Sequence, residues 1–246
     1  MTRKDFLIGA SAAAAQGVFG IGCRSVCGTH GPAVWEPGHY QVHFIYTGRG
    51  ECMFHIFPDG TTMLLDCGDY MGFYGTSAAV PIPDLSCRAG EFAARYVRRV
   101  NPKGTKVDYL HLSHYHDDHC GGMKHHDGLL PDGRPLCGLS DAARFLSFGR
   151  VVDRAWPGFD DPLDKLGPSG KGDGSALHMK LLCRHLEDEQ GARIEKFELG
   201  SRRQFVQLDA VNARPGFEVF NLCATSARTD RSPIRTRHGW RRGRRP

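Results

Sequence analysis

No stretch of the 246-residue sequence is apolar for long enough to cross a bilayer as a helix, and no segment repeats another. A membrane-spanning helix and a repeat array are therefore not expected. Strong charge of either sign is also lacking once its distribution is considered. The formal net charge is +5, but residues 224–246 hold eight arginines against one aspartate and carry +7, which leaves −2 for residues 1–223. A mildly acidic body gives no footing for a specific nucleic-acid-binding patch. Paired cysteine motifs are missing as well. The nine cysteines are scattered singly, and the CxxxC spacing of Cys23 and Cys27 has no second pair with which to form a zinc ribbon. They read as buried free thiols, with disulfides as the alternative in an exported chain. The glycine-rich stretch GPSGKGDGS lacks the glycine order and the following Lys-Ser/Thr of a phosphate loop, and reads as flexibility only.

The chain opens MTRKDFLIGASAAAAQGVFGIGC. Arg3 and Lys4 precede a weakly apolar Ala- and Gly-rich run, the layout of an export signal. Thr2-Arg3-Lys4-Asp5-Phe6-Leu7 is similar to a twin-arginine signal with Lys4 in place of the second arginine, and Gly22-Cys23 is similar to a lipoprotein cleavage site. Residues 1–23 are therefore expected to direct export to a periplasmic or extracellular location, with lipid anchoring at Cys23 as an extension of that reading. An ordinary N-terminal amphipathic helix on a cytoplasmic protein is the alternative.

The next segment, residues 38–222, mixes strands and helices, the pattern of an α/β fold. Alternation predicts strands over 40–46, 51–57 and 63–66, with Pro58-Asp59-Gly60 turning the chain between the last two. Phe92, Ala93, Tyr96 and Val97 recur at helical spacing over 90–100, and Asn101-Pro102 stops that helix. KVDYLHLS is a fourth strand ending at Ser113. A short helix capped by Ser140-Asp141 and running through Phe148, a strand over 151–155, and an amphipathic helix over 176–189 follow. Further strands are expected over 194–199, 205–208 and 217–222. Residues 223–246, rich in arginine and without apolar periodicity, read as a disordered tail.

The densest chemistry lies in LSHYHDDHCGG, residues 112–122, just beyond the fourth strand. His114 and His116 are two apart and can converge on one cation from a short turn. Asp118 and His119 are adjacent, cannot point the same way in extended backbone, and are placed to serve a second cation. Mixed imidazole and carboxylate ligands suit Zn²⁺, with Mn²⁺ or Fe²⁺ as alternatives. Two such ions can share a hydroxide and act together as nucleophile generator and Lewis acid. Gly121 and Gly122 would let a following helix begin close to the metals.

His114-Tyr115-His116-Asp117-Asp118-His119 resembles the HxHxDH motif of the metallo-β-lactamase-fold hydrolases. Met63-Leu64-Leu65-Asp66-Cys67-Gly68 resembles the strand-Asp-x-Gly element that precedes it in that superfamily. LLDCGD together with LSHYHDDHCGGM looks most like the competence-protein (ComEC/Rec2-like) branch. The resemblance spans residues 40–130 and continues more weakly to 222. It implies an αββα sandwich, with His114 and His116 on one metal and Asp118 and His119 on the other. Asp118 would also hold the bridging water as the catalytic carboxylate, and Asp66 would orient the metal-binding loop through hydrogen bonds. The implied activity is metal-dependent hydrolysis of a phosphodiester or other ester, on a small-molecule or phosphodiester substrate.

Family members complete the site with a later Gly-Asp and a late histidine. The downstream candidates here are unpromising: His125 and His126 on an expected helix, His178 and His185 seven apart on the amphipathic helix, and His238 in the tail. The expectation is thus the first half of the sandwich plus its connection, in a truncated or frameshifted chain with one apolar sheet face uncovered. The non-enzymatic alternative is an inactive metal-binding remnant or a binding module.

Overall fold

The structure is a computed structural model that describes residues 34–48, 50–69, 86–159 and 174–222. The expectations for residues 1–23 and 223–246, and His238 with them, lie outside these residues.

Pro58-Asp59-Gly60 makes the first tight turn. Gly60 takes φ +86°, and the Asp59 carboxylate accepts the Thr61 N–H (3.0 Å) and hydroxyl (2.7 Å), so the chain reverses with its polar groups satisfied. The reversal pairs β2 (Met53–Ile56) with β3 (Thr62–Leu65) in antiparallel register, and β1 (Gln41–Phe44) adds outside β2 in the same sense. From β3 onward the pairing is parallel. Helix α1 (Ala89–Val100) leads to β4 (Lys106–His111), which runs beside β3. Two short helices, α2 (Asp117–Cys120) and α3 (Gly138–Ala142), precede β5 (Ser147–Asp153). Helix α4 (Ser175–Gln190) then leads to β6 (Arg193–Lys196). The result is a mixed six-stranded sheet in the order β1-β2-β3-β4-β5-β6, so the chain is an α/β protein.

Sequential order fixes where the helices go. Right-handed crossovers that always step in the same direction deliver every helix to one face of the sheet. On that face Phe54, Ile56, Leu64, Val107, Leu110 and Val151 pack against Ala93, Ala94 and Val97 of α1 and against Leu139 and Ala142 of α3. Ala176, Met179, Leu182, Cys183 and Leu186 of α4 complete the layer, recurring at the helical period that yields one buried stripe. Gly191, at φ +65°, ends α4 in the left-handed cap that glycine adopts without strain.

The other face is covered differently from expectation. Residues 205–208 and 217–222 are not strands. They lie as irregular chain, and Phe205, with Phe197, Phe217 and Val219 alongside, packs onto Phe57, Met63, Tyr109 and Val152. Side chains meet the backbone of 205–208, with Leu208 N–H donating to Thr61 Oγ1 (2.8 Å), whereas the Asn221 N–H and C=O pair with Ser201 O and the Gly200 N–H. The Tyr109 hydroxyl donates to Val206 O (3.2 Å), and the Asn221 amide donates to Glu198 O (3.0 Å) and Gln204 Oε1 (2.9 Å). Apolar alternation there reflects contact with a sheet, not membership of one. Among the described residues there is one sheet. Towards β1 its second face stays open, with Phe44 79 % exposed.

Two smaller corrections concern the middle of the chain. The expected 140–148 helix starts at Gly138 and ends at Ala142, because Phe148 is needed in β5 opposite Val107. The expected helix around residues 123–126 is absent, and Gly121 at φ +81° ends α2 instead of opening a new helix. Among the described residues no helix is long and apolar enough to cross a membrane. The described cysteines are free thiols, with Cys52, Cys67, Cys120, Cys137 and Cys183 buried and Cys87 half-buried.

Candidate metal centre

Strands β3, β4 and β5 run parallel, so their C-terminal ends share one edge of the sheet, where open α/β folds hold their ligands. The histidine loop leaves β4 at that edge. Its first anchor is Asp66, directly after β3. Asp66 sits in the left-handed region (φ +56°), which an aspartate tolerates better than most residues. Its Oδ1 accepts the Ser113 N–H (2.8 Å), and its Oδ2 accepts the Ser113 hydroxyl (2.7 Å) and His119 Nδ1–H (2.8 Å). These bonds compensate a carboxylate that is only 2 % exposed. Asp66 thus joins the end of β3 to both Ser113 and His119 of the loop.

Backbone bonds fasten the loop further. Glu51 N–H reaches Asp118 O (2.8 Å), Cys67 N–H reaches His119 O (2.8 Å), and Asp69 N–H reaches Asp117 O (3.0 Å). The approach is so close that a Cβ at Gly68 would stand 1.8 Å from Asp118 O. Glycine in the Asp-x-Gly element is therefore a requirement of space.

The loop then folds on itself. His116 N–H returns to His114 O (3.3 Å), and the N–H groups of His119 and Cys120 return to His116 O (3.0 and 3.1 Å). Asp118 and His119 consequently lie in one helical turn rather than in extended backbone. They diverge by about 100° around its axis. His119 turns inward to Asp66, whereas the Asp118 carboxylate is half-exposed, 3.9 Å from His119 Nε2.

Three imidazoles converge. His114 Nε2 and His116 Nδ1 are 3.1 Å apart, and the His114 ring centroid lies 3.9 Å from that of His119. With His114 Nδ1–H donating to Ser113 Oγ (3.1 Å), its Nε2 carries the lone pair that faces His116. Burial, with His119 and His116 adding, pushes the His114 pKa down, which favours the neutral form that binds metals. Burial alone would lower His119 too, but the hydrogen bond and charge of Asp66, followed by Asp118 and Glu51, leave it raised. His119 Nδ1 is thus committed to a carboxylate and its Nε2 is the nitrogen left to act. Among the described residues, no group of three or more His, Cys, Asp or Glu side chains is arranged to hold a metal ion. The 3.1 Å approach of His114 Nε2 and His116 Nδ1 joins two of these side chains.

The described downstream histidines have partners elsewhere. His125 Nδ1 pairs with the buried Asp117 (2.6 Å), and His126 Nδ1 accepts the Gly128 N–H. His178 is fully buried between Ser140 Oγ (2.6 Å) and Gly121 O (2.7 Å), a packing role that its place on α4 had favoured. His185 meets Asp132.

Sequence reasoning missed Tyr115 and Asp153. The Tyr115 hydroxyl donates to Asp153 Oδ1 at 2.5 Å, beneath the histidines. The signal was available, since VVD at the end of β5 repeats the apolar-apolar-Asp pattern of LLD at the end of β3. No protein-family model matches the chain, and no curated protein matches it.

Proposed function

We propose that the chain is a metal-dependent hydrolase of the metallo-β-lactamase superfamily that cleaves a phosphodiester or other ester. Its sheet and helices would form the first layers of an αββα sandwich, and the protein would be exported. The observation that carries the reading is the His114 Nε2–His116 Nδ1 separation of 3.1 Å beside an Asp66-bound His119. Two nitrogens on a tetrahedral zinc, each at about 2.0–2.1 Å, stand about 3.3 Å apart, so this pair fits one ion with little movement. His114 and His116 would hold that ion, and His119 Nε2 with Asp118 would hold a second; Mn²⁺ or Fe²⁺ would suit the same donors. When bound, the metal lowers the pKa of a water and polarises the scissile group. Asp66 keeps His119 in the required tautomer, and the half-exposed Asp118 is the carboxylate available to hold the attacking water and take its proton.

A metal-binding remnant or binding module is the second reading. It is favoured by the lack, among the described residues, of a group of three donors. Metal content of the purified protein, measured beside hydrolysis of bis(p-nitrophenyl) phosphate, separates the two. Two protein ligands per ion predict substoichiometric zinc, lowered further by His116→Ala and by Asp118→Ala. Zinc without turnover supports the remnant. Equal metal in wild type and both variants overturns the ligand assignment.

A further inference from the structure

Two carboxylates stand level on either side of the strand that feeds the histidine loop. In the parallel register, Leu65 of β3, His111 of β4 and Val152 of β5 lie side by side. The next residue on each flanking strand is an aspartate, Asp66 on one side and Asp153 on the other. Both are buried. Asp66 grips the loop at Ser113 and His119. Asp153 grips it between these points, through the hydroxyl of Tyr115, and its Oδ1 is fixed in turn by the Ala155 N–H (2.8 Å).

Tyr115 is the apex of the three-residue turn closed by His116 N–H and His114 O. Its ring is 1 % exposed and belongs to the main core, while His114 is half-buried and His116 exposed. Driving the apex inward leaves its two neighbours together at the surface. A phenylalanine at 115 would fill the same core volume, so packing alone does not call for the hydroxyl, and the Asp153 Oδ2 lies buried with no hydrogen-bond partner. Such a group is costly for folding alone. That cost is characteristic of a residue retained for geometry at a site.

We infer that Asp153, through Tyr115, is a positioning residue for the proposed metal centre, setting the turn that brings His114 Nε2 and His116 Nδ1 to ligand spacing. The inference rests on the metal reading of that pair. It makes the loop a segment clamped from both neighbouring strands, with Asp66 orienting His119 and Asp153 orienting the HxH turn.

The test uses the full chain and zinc alone, with affinity read by competition against a chelating dye. Tyr115→Phe removes one hydroxyl and keeps the ring; Asp153→Asn keeps a neutral acceptor. Tyr115→Phe is expected to weaken zinc binding about tenfold, the lower end of the loss seen when a group behind a ligand is removed. Asp153→Asn should weaken it less. In the metal-free protein, hydrogen exchange at the His116, His119 and Cys120 amides should quicken in Tyr115→Phe while the amides of α1 keep their wild-type rates. Should Tyr115→Phe fail to fold, Asp153→Asn carries both readouts. A folded variant pair that binds zinc as the wild type does, with only the unfolding midpoint lowered, overturns the inference and leaves the metal reading intact. A wild type that binds no zinc overturns both.

Discussion

Replacing Gly68 by alanine adds one methyl group at the tightest point between the β2–β3 hairpin and the histidine loop. The new Cβ would lie 1.8 Å from Asp118 O, 2.2 Å from Asp118 C and 2.9 Å from the Gly50 Cα. These are backbone atoms, so no side chain can rotate away, and the loop must retreat by roughly 1 Å or more to restore contact distance. A shift of that size breaks or stretches the bonds from Glu51, Cys67 and Asp69 to the loop carbonyls. At about 0.5–1.5 kcal/mol for each of the three bonds, the loss comes to about 1.5–4.5 kcal/mol. Urea denaturation monitored by tryptophan fluorescence measures it as a lower midpoint at unchanged slope. Gly191→Ala is the control: that site is open, with nothing within 4 Å of the new Cβ, and its φ of +65° alone should cost about 1–2 kcal/mol. The retreat also draws Asp118 and His119 away from His114, so zinc affinity should fall in Gly68→Ala and hold in Gly191→Ala. A Gly68→Ala protein within about 0.5 kcal/mol of wild type, with unchanged zinc affinity, would refute the packing argument.

Asp66→Ala should leave a folded protein whose zinc affinity is down about 10–100-fold, because His119 loses the acceptor that fixes its tautomer; unchanged affinity in a dye-competition titration would reduce Asp66 to a turn cap. His55, 8 % exposed on β2, has its pKa lowered to about 4 by burial, with His43 and His111 adding. The folded chain therefore binds fewer protons than the unfolded chain between about pH 4 and 6.5, so this contribution is complete above about 6.5 and is lost as pH falls towards 4. It amounts to up to about 3 kcal/mol. Urea midpoints across that window should fall more steeply for wild type than for His55→Gln, and parallel profiles would show that His55 does not titrate as its burial requires.

The antiparallel hairpins and the first crossover are legible in the sequence because each local signal agrees with the sheet. Pro58-Asp59-Gly60 requires the turn that forms, and the α1 and α4 stripes face the core they predict. The strands expected at 205–208 and 217–222 fail for a definite reason. Phe205, Phe217 and Val219 cover a sheet face, and apolar spacing alone cannot distinguish a segment lying on a sheet from a strand within one. Phe148 misleads for a related cause: a short apolar run following a helix cap reads as more helix until its partner strand, here β4 at Val107, is known.

The site divides along the same line. Histidine spacing, two apart and then three, is a local property, and the structure brings the rings of His116 and His119 against that of His114. What holds them is not local. Asp66 is 53 residues from His119, and Asp153 is 38 from Tyr115, and each contact exists because β3, β4 and β5 are neighbours in parallel register. The spacing thus offers candidate donors and the resemblance offers Asp66, whereas Asp153 is found only once the sheet order is known. Once β4 is placed between β3 and β5, the aspartates that end LLD and VVD must flank whatever β4 delivers. The same placement puts Asp66 and Asp153 on either side of the loop, and under the proposed metal reading the loss of either is expected to lower zinc affinity before it unfolds the chain.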